Sequence, residues 1–352
     1  MHLLDNSTPP SAEGLLLEIL PEFGLSNPQE IHSWPYPEDH RRSINRLVAK
    51  FTCDGQCYLM KARTVEHRGT RALFETQRIH QVFHQRGVSV PALLPGPNGE
   101  TLIPGPNPRD ESSPHYEALR FLVGPEYFHV PAVYYEIQHF IFGHHPPADE
   151  HTANQIGTVL ATFHSAGHQP PIRSLAPEEW EHVVPHIDTF LLNKSLYIND
   201  FITRGADRRR KMHDYVTGLK TISPEERRKI DDLFCRIGDH SRQGQLSWGI
   251  IHGNFCLNNI IARDEGFFII DLDEVGLGPI SHDIGEVLSD LERADHQNAL
   301  IKGYMENGGN ISDLDRTDIL DGLVYQQIAS AFGNDQQELE INRLFAEVGA
   351  LF

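Results

Sequence analysis

The chain has 352 residues, which is long enough for one large domain or two modest ones with a sizeable buried core. It carries 30 Lys and Arg against 49 Asp and Glu, a formal net charge of −19, and this sign argues against a protein that neutralises nucleic-acid phosphates over its whole surface. Hydrophobic residues make up 39% and aromatic residues 9%, as in ordinary globular proteins, so a mostly disordered chain is also excluded.

The sequence also indicates the compartment of the protein and the state of its cysteines. No apolar run approaches the roughly 18 to 20 residues of a membrane span, and the first residues lack the features of a secretory signal, so we expect a cytoplasmic protein with no membrane partner. No HExxH motif occurs, and no CxxC pair marks a zinc or redox site. Free thiols are therefore expected at Cys53, Cys57, Cys235 and Cys256.

The first predicted elements are a short helix and a β-hairpin. Leucine and isoleucine recur at helical spacing over residues 12–23 and stop at Gly24, a residue type that commonly ends helices. Two β-rich runs follow at residues 46–52 and 57–62, and the Asp54-Gly55 pair between them favours a tight turn.

A second helix and further strands are predicted next. Apolar spacing predicts a helix over residues 69–86, with Gly87 in the stop position. β-favouring runs at 88–94 and 101–103 are joined by a segment rich in proline and glycine, and an aromatic run at 134–142 predicts the last strand of a small sheet.

The pattern becomes mostly helical beyond this sheet. Helices are predicted over residues 149–164 and through much of 175–240. We therefore predict an N-terminal domain over residues 1–143 and a C-terminal domain over residues 144–352.

The residues most informative about function accompany two apolar β-runs in the C-terminal half. Asn254 and Asn259 lie around the first run, Asp271 and Asp273 follow the second, and the charged turn at 263–266 is expected to make the runs antiparallel. The four polar side chains would then converge at one end of the strands. Carboxylate and amide oxygens together with substrate phosphates are the ligands that Mg²⁺ prefers, so this pattern favours metal-dependent phosphoryl transfer.

Three segments together resemble a known family. The run HGNFCLNN at 252–259 resembles the HGDxxxxN catalytic loop of the aminoglycoside phosphotransferase, choline kinase and type II homoserine kinase group. The run IDLD at 270–273 is similar to the IDxD or IDxE metal motif of that group, and GPISHDI at 278–284 resembles its downstream continuation. The resemblance implies an α+β, two-lobed protein-kinase-like fold, with a small mixed β-sheet N-lobe and a mainly helical C-lobe.

The resemblance also implies ATP and Mg²⁺ as cofactors. Lys61, at the end of the second hairpin strand, corresponds to the lysine that holds the α- and β-phosphates, and Glu75 on the next helix is placed to pair with it. Asn259 and Asp271 correspond to the metal ligands, and Asp273 is a secondary candidate.

Further nucleotide contacts are implied in the N-terminal half. Asn45 resembles the asparagine at the end of the nucleotide-covering loop, although residues 32–44 contain no glycine for a phosphate cradle. His139 and Ile141 would form the hinge that contacts the adenine edge. His252 belongs to the catalytic loop, and we expect it to hydrogen-bond the loop and the region before Asp271 rather than act as a base.

One position departs from the family pattern. Asn254 stands where the resemblance implies a catalytic aspartate, and an amide has no comparable basicity near neutral pH. Three interpretations stay open: an engineered substitution that inactivates the enzyme, a natural pseudokinase acting as a nucleotide-binding scaffold or regulator, and an enzyme that compensates elsewhere. In an active chain, Asn254 would orient the acceptor.

The acceptor is expected to be the hydroxyl group of a small molecule, and no nucleic-acid partner is expected. A basic run at 204–211 would suit an anionic acceptor. Acidic residues would instead suit a cationic one: Asp283, Glu286, Asp290 and Glu292. Transfer of a nucleotidyl group would use the same metal site and is the least favoured reaction; the protein is expected to be a monomer or a homodimer.

Overall fold

The structure is a computed structural model that describes residues 16–17, 19–35, 45–64, 69–105, 133–168, 205–219, 222–237, 246–291 and 293–333. The chain forms two compact units, one of Met1–His84 and Val90–Phe142 and the other of Gln85–Ser89 and Gly143–Phe352. Across the described ranges, no helix combines the length and the apolar composition that crossing a membrane requires.

The first unit contains an antiparallel sheet and a helix. The strands lie in the spatial order β1-β2-β3-β5-β4. Their bounds are β1 Gln29–Pro35, β2 Asn45–Cys53, β3 Gln56–Thr64, β4 Ile103–Pro104 and β5 Val133–His139. The helix α1, Gly69–Gln85, follows β3 along the chain. This arrangement confirms the predicted α+β class.

The turn between β2 and β3 is the tight turn that the sequence predicts. Cys53 pairs with Gln56, so two residues make the connection. Asp54 has φ of 50° and Gly55 has φ of 75°, the positive values that a two-residue hairpin turn requires. Helix α1 ends where predicted, and Gly87 after it has φ of 76°.

The core of the first unit lies on one face of the sheet. Side chains of alternating strand positions on this face are buried against the N-terminal segment, where a short 3-10 helix at Leu20–Phe23 ends at Gly24. The alternating positions are Ala49, Phe51, Met60, Ala62, Tyr135 and Ile137. The intervening positions of β3 and β5 are therefore presented on the other face of the sheet.

One predicted strand of this unit is wrong, and one observed strand was not predicted. The stretch 88–94 is not a strand: only Leu93 forms a β-bridge, with Gln138. Pro91 and Pro95 lack the backbone N–H that a continuous ladder requires, which explains the irregular path. Strand β1 was not anticipated, because its last residue is Pro35, a residue type that sheets tolerate at an edge strand such as this one.

The second unit is mainly helical among the described residues. Its helices are α2 Glu150–His168, α3 Gly205–Gly218, α4 Pro224–Ile237, α5 Ile280–Ser289, α6 Ala294–Glu306 and α7 Asp313–Gly333. Its strands are β6 Trp248–Ile251, β7 Ile260–Arg263, β8 Gly266–Ile269 and β9 Gly276–Pro279. Strands β7 and β8 form the predicted hairpin around the charged turn, whereas β6 pairs with β9.

Two glycines allow α2 and α6 to pack closely. A Cβ atom at Gly157 would overlap the carbonyl oxygen of Leu300, and a Cβ atom at Gly303 would overlap that of Asn154. The helix backbones therefore meet directly at these points. This contact fixes the helix that carries His164, a residue of the site described below.

The short segment 85–89 clusters with the second unit, although it lies between residues of the first along the chain. The Ser89 carbonyl accepts a hydrogen bond from the Ile269 backbone N–H at 2.8 Å. The Arg86 guanidinium also donates to the Ala166 carbonyl. These two bonds attach the segment to β8 and to α2.

Candidate functional site

The first residues of the loop after β6 are held by a buried carboxylate. Asp283 of α5 accepts the backbone N–H of His252 at 2.7 Å and that of Gly253 at 2.9 Å, one on each carboxylate oxygen. Gly253 has φ of 80°, a conformation that costs a side-chain-bearing residue energy. The loop thus depends on a glycine and on an acidic residue from a helix 30 residues downstream.

Two further side chains hold Asp283 in place. His164 of α2 donates from Nε2 to Asp283 Oδ2 at 3.1 Å, and Tyr304 of α6 lies 2.9 Å from the other ring nitrogen of His164. Burial and the nearby Asp283 carboxylate raise the pKa of Tyr304, so its hydroxyl stays protonated and can donate to His164. The chain of bonds runs from Tyr304 through His164 and Asp283 to the loop.

The environment keeps Asp283 ionised. Burial alone would raise its pKa, but the hydrogen bond from His164 and the electrostatic effect of the neighbouring histidines outweigh burial, and the pKa is lowered. An ionised carboxylate is the form that can accept both backbone N–H groups at once.

His252 has a structural role in the loop. Its Nε2–H donates to the Ile270 carbonyl at 2.9 Å, and its Nδ1 accepts the Asn254 backbone N–H at 3.3 Å. Both ring nitrogens are therefore engaged, and the contact with the residue before Asp271 is the one that the sequence led us to expect. This arrangement leaves His252 no nitrogen with which to accept a proton from a substrate.

Asn259 and Asp271 lie at the open end of the β7–β8 hairpin. Ile260 pairs with Ile269, and the Ile270 backbone N–H donates to the Asn259 carbonyl at 2.9 Å, so Asn259 stands across from the residue before Asp271. The register of the hairpin therefore brings these two predicted metal ligands to one edge.

Both side chains have features that suit an oxygen ligand. The Asn259 side-chain N–H₂ donates to the Asn254 carbonyl at 2.8 Å, which assigns the other branch of the amide as the oxygen. Asp271 has φ of 60° and ψ of 52°, the left-handed conformation, which costs energy for a residue other than glycine. Such strain clusters at functional sites.

The donor set fits a hard divalent cation that also binds phosphates. One amide oxygen and one carboxylate are typical protein ligands of Mg²⁺, which completes its shell with waters and phosphate oxygens. Asp273 is 4% exposed and lies in the next turn of chain. Across the described ranges, no group of three or more His, Cys, Asp and Glu side chains could hold a metal ion without such extra ligands.

A polar cluster in the first unit surrounds Lys61. Lys61 is 5% exposed and stands directly opposite Glu136 in the β3–β5 register. The Glu136 carboxylate binds Arg63 Nη2 at 2.9 Å and accepts a hydrogen bond from the Gln77 side chain of α1. Sequence analysis missed Glu136; the available signal was an acidic residue in the middle of an aromatic strand.

The remaining predicted nucleotide residues have the following positions. Asn45 begins β2 and Glu75 lies on α1, but both side chains fall outside the described part of the structure, so the proposed pairing of Glu75 with Lys61 stays a prediction. His139 ends β5 and Ile141 follows two residues later, just before the first unit ends at Phe142.

One residue that was expected to bind a cationic acceptor has a different role in the structure. Asp283 is fully buried and holds the loop, so the suggestion that it receives a cationic acceptor is wrong. Within the basic run, Lys211 is exposed on α3, while the side chains of the preceding arginines and the whole of Arg204 lie outside the described residues, as does Glu292.

Comparison with known proteins identifies similar sequences and folds. A family model described as "Phosphotransferase enzyme family" matches residues 42–320. No curated protein gives a significant match to this chain.

Solved structures with the same fold include three kinases. An amicoumacin kinase in complex with AMP-PNP, Ca²⁺ and Ami shares 14% identity and a TM-score of 0.57, covering 97% of this chain and 94% of that one. An aminopropanol kinase associated with a microcompartment shares 12% identity and a TM-score of 0.53, covering 96% and 95%. A spectinomycin phosphotransferase in complex with ADP and spectinomycin shares 13% identity and a TM-score of 0.51, covering 98% and 95%.

Proposed function

The chain belongs to the phosphotransferase enzyme family, and we propose that it transfers the γ-phosphoryl group of ATP to a hydroxyl group of a small molecule with Mg²⁺ as the metal ion. The observation that carries this proposal is the pairing of Asn259 with the strained Asp271 at the open end of one hairpin. The loop that bears Asn254 is anchored beside them, because Asn259 donates to the Asn254 carbonyl.

Each residue has a proposed role. Asn259 and Asp271 hold the metal ion, Asp273 is a secondary ligand, and Lys61 binds the nucleotide phosphates with Glu75 as its expected partner. When bound, Mg²⁺ would neutralise charge on the phosphates during transfer. Little covalent chemistry falls to the protein in such a reaction, so the chain acts mainly by positioning and by electrostatic stabilisation.

Further contacts are proposed for the nucleotide base. The backbone at His139 and Ile141 would bind the adenine edge, and Asn45 would lie near the phosphates. Solved relatives with the same fold contain AMP-PNP or ADP, which supports a nucleotide as the phosphoryl donor.

A small-molecule acceptor is proposed on similar grounds. The similar structures are kinases of amicoumacin, aminopropanol and spectinomycin, so amino alcohols and amine-bearing antibiotics are the first acceptors to test. The net charge of −19 favours a cationic acceptor over an anionic one through long-range attraction.

The test of this proposal measures phosphate transfer and nucleotide binding separately. The purified chain is incubated with γ-labelled ATP, MgCl₂ and aminopropanol, spectinomycin or amicoumacin, and labelled product is separated from ATP. Melting temperature is measured with and without MgATP, and we expect a rise because a ligand that binds only the folded state stabilises it. Absence of both the rise and the labelled product would remove the proposal.

A second candidate function is favoured by Asn254. The loop carries an amide at the position of the family's catalytic aspartate, which suits a nucleotide-binding scaffold or regulator that transfers no phosphate. The Asn254→Asp variant separates the two functions. An enzyme changes its turnover when a carboxylate is introduced there, whereas a scaffold binds MgATP equally well in both forms and transfers phosphate in neither.

A further inference from the structure

Two side chains of α5 contact the loop on either side of Asn254. His282 Nε2 lies 3.3 Å from the carbonyl oxygen of Gly253, the residue before Asn254. The Glu286 carboxylate accepts a hydrogen bond from the backbone N–H of Phe255, the residue after it. These two side chains are one helical turn apart and lie 3.7 Å from each other, so they form a connected pair beside the loop.

Glu286 is an unusual residue to bury at this place. It is 7% exposed, and its Oε2 atom has no hydrogen-bond partner within the described part of the chain. A carboxylate oxygen that is removed from water without a partner destabilises the folded protein. The hydrogen bond from the Phe255 N–H does not explain this cost, because it leaves the Oε2 atom without a partner.

Resting on the phosphotransferase function proposed above, we propose that Glu286 accepts the proton of the attacking hydroxyl group, in place of the carboxylate that is missing at position 254. His282, which contacts both Glu286 and the loop, acts as a positioning residue. Asn254 orients the acceptor with its amide, and the basic group lies on the adjacent helix rather than on the loop.

Phosphoryl transfer and proton transfer occur together in this step. The acceptor oxygen forms a bond to the γ-phosphorus of ATP while the bond from that phosphorus to the bridging oxygen breaks, and ADP leaves with the electron pair. The hydroxyl proton passes to the Glu286 carboxylate, directly or through one water molecule. The neutral Glu286 returns its proton to solvent before the next cycle.

The protonation behaviour of Glu286 suits this role. Burial raises its pKa to about 7; the charges of Asp283 and Asp290 act in the same direction, while His282 and the Phe255 N–H act against them. The Cys256 thiol also interacts with this carboxylate from the loop. A base is most effective when its pKa is close to the working pH, so a carboxyl group with a pKa near 7 is better matched than an ordinary glutamate.

The experiment uses water as the acceptor, so that no unidentified substrate is needed. MgATP hydrolysis is measured from pH 5.5 to 9 for four forms of the full chain: wild type, Glu286→Gln, Asn254→Asp/Glu286→Gln and Glu306→Gln. Glu306 is an exposed glutamate on α6 outside the site and gives the same chemical change as a control. The shift in melting temperature with MgATP is measured for each form.

We expect wild-type hydrolysis to rise through a pH of about 7 and Glu286→Gln to lose about 100-fold or more of kcat while keeping the MgATP-induced rise in melting temperature. In the double variant the carboxylate at position 254 should raise kcat at least about tenfold above that of Glu286→Gln. The pH at which its hydrolysis rate rises should lie well below 7. The Glu306→Gln form should match wild type in rate and pH profile.

Three results would overturn the inference. The first is nucleotide binding without hydrolysis in wild type. The second is a Glu286→Gln form that hydrolyses MgATP at the wild-type rate and with the wild-type pH dependence. The third is a double variant whose kcat does not rise above that of Glu286→Gln although MgATP still raises its melting temperature. By contrast, the absence of both an MgATP-induced rise in melting temperature and any labelled product in wild type removes the proposed function itself, so the two failures are distinguishable. Carbon-13 NMR of labelled glutamate, which needs no turnover, should show a carboxyl that titrates near 7 and is missing in Glu286→Gln.

Discussion

Two buried carboxyl groups, three residues apart on α5, have pKa values that are shifted in opposite directions. Asp283, at the start of α5, has a lowered pKa, whereas burial raises the pKa of Glu286, three residues later, to about 7. Burial acts in the same direction on both. The difference comes from the surroundings: Asp283 accepts a hydrogen bond from His164 and lies among three histidines, whereas Glu286 has one nearby histidine, one backbone N–H and other acidic groups beside it.

The comparison shows how one helix can serve two purposes. A carboxylate that is fully supplied with donors stays ionised and fixes a loop. A carboxyl group with few donors exchanges a proton near neutral pH, which is the property that acid–base chemistry needs. The same residue class therefore gives an anchor at position 283 and a titrating group at position 286.

The largest expected effect comes from Asp283→Asn. The amide removes the negative charge and directs an N–H₂ group at one of the two loop N–H donors, which leaves a buried donor without an acceptor. We expect a loss of about 3 to 5 kcal/mol in the free energy of unfolding, measured by urea denaturation at pH 7. The exposed Asp264→Asn, in the β7–β8 turn, is the matched control, and an equal small loss in both would contradict the anchoring role.

A somewhat smaller, pH-dependent effect is expected for Glu286→Gln. Between the ordinary value of 4.5 and about 7, the folded protein holds more protons at Glu286 than the unfolded chain does, so stability falls as pH rises through that window. The variant lacks this loss and should be more stable than wild type at pH 8, by on the order of 3 kcal/mol, and nearly equal to it at pH 4.5. An equal difference in stability between Glu286→Gln and wild type at pH 8 and at pH 4.5 would show that the carboxyl group does not titrate as described.

Tyr304→Phe should have a moderate effect. The change removes the hydroxyl that lies 2.9 Å from His164 and leaves the ring in place, so His164 loses one partner while Asp283 keeps both loop N–H groups. We expect a loss of about 1 kcal/mol in the free energy of unfolding and an unchanged pKa at Glu286. A loss as large as that of Asp283→Asn would mean that the loop anchor depends on Tyr304 more than its contacts indicate.

The smallest expected effect is that of Asp290→Asn. Asp290 Oδ2 accepts the Leu257 backbone N–H at 2.7 Å at an exposed position, and its charge helps to raise the pKa of Glu286. Removing the charge should move the Glu286 titration to lower pH by a few tenths of a unit, as seen by carbon-13 NMR, and cost less than about 1 kcal/mol of stability. A shift to higher pH would contradict the described electrostatics.

Local sequence signals predicted the elements that carry the site. The Asp54-Gly55 turn, the end of α1 just before Gly87 and the β7–β8 hairpin all have strong short-range signatures, and all three are present. The α+β class follows from them. The loop with His252 was identifiable because its residue types and spacing match a family pattern, and its predicted hydrogen bond to the segment before Asp271 is present.

The contacts that give the site its chemistry could not be predicted, because they join distant parts of the chain. His164 and Asp283 are 119 residues apart in sequence, and no local pattern indicates that they bond. The same holds for Glu136, whose binding to Arg63 depends on the register of β3 with β5. The distinction between Asp283 and Glu286 is invisible in the sequence, since it arises from donors that the fold supplies.

The most direct test of the central claim is the Mg²⁺ dependence of ATP binding, measured by isothermal titration calorimetry on wild type and Asp271→Asn. We predict that wild type binds ATP substantially more tightly with Mg²⁺ than with EDTA and that Asp271→Asn loses most of this difference, because the hairpin end then lacks its charged oxygen ligand. Equal binding with and without Mg²⁺ in wild type, or an unchanged Mg²⁺ dependence in Asp271→Asn, would contradict the account.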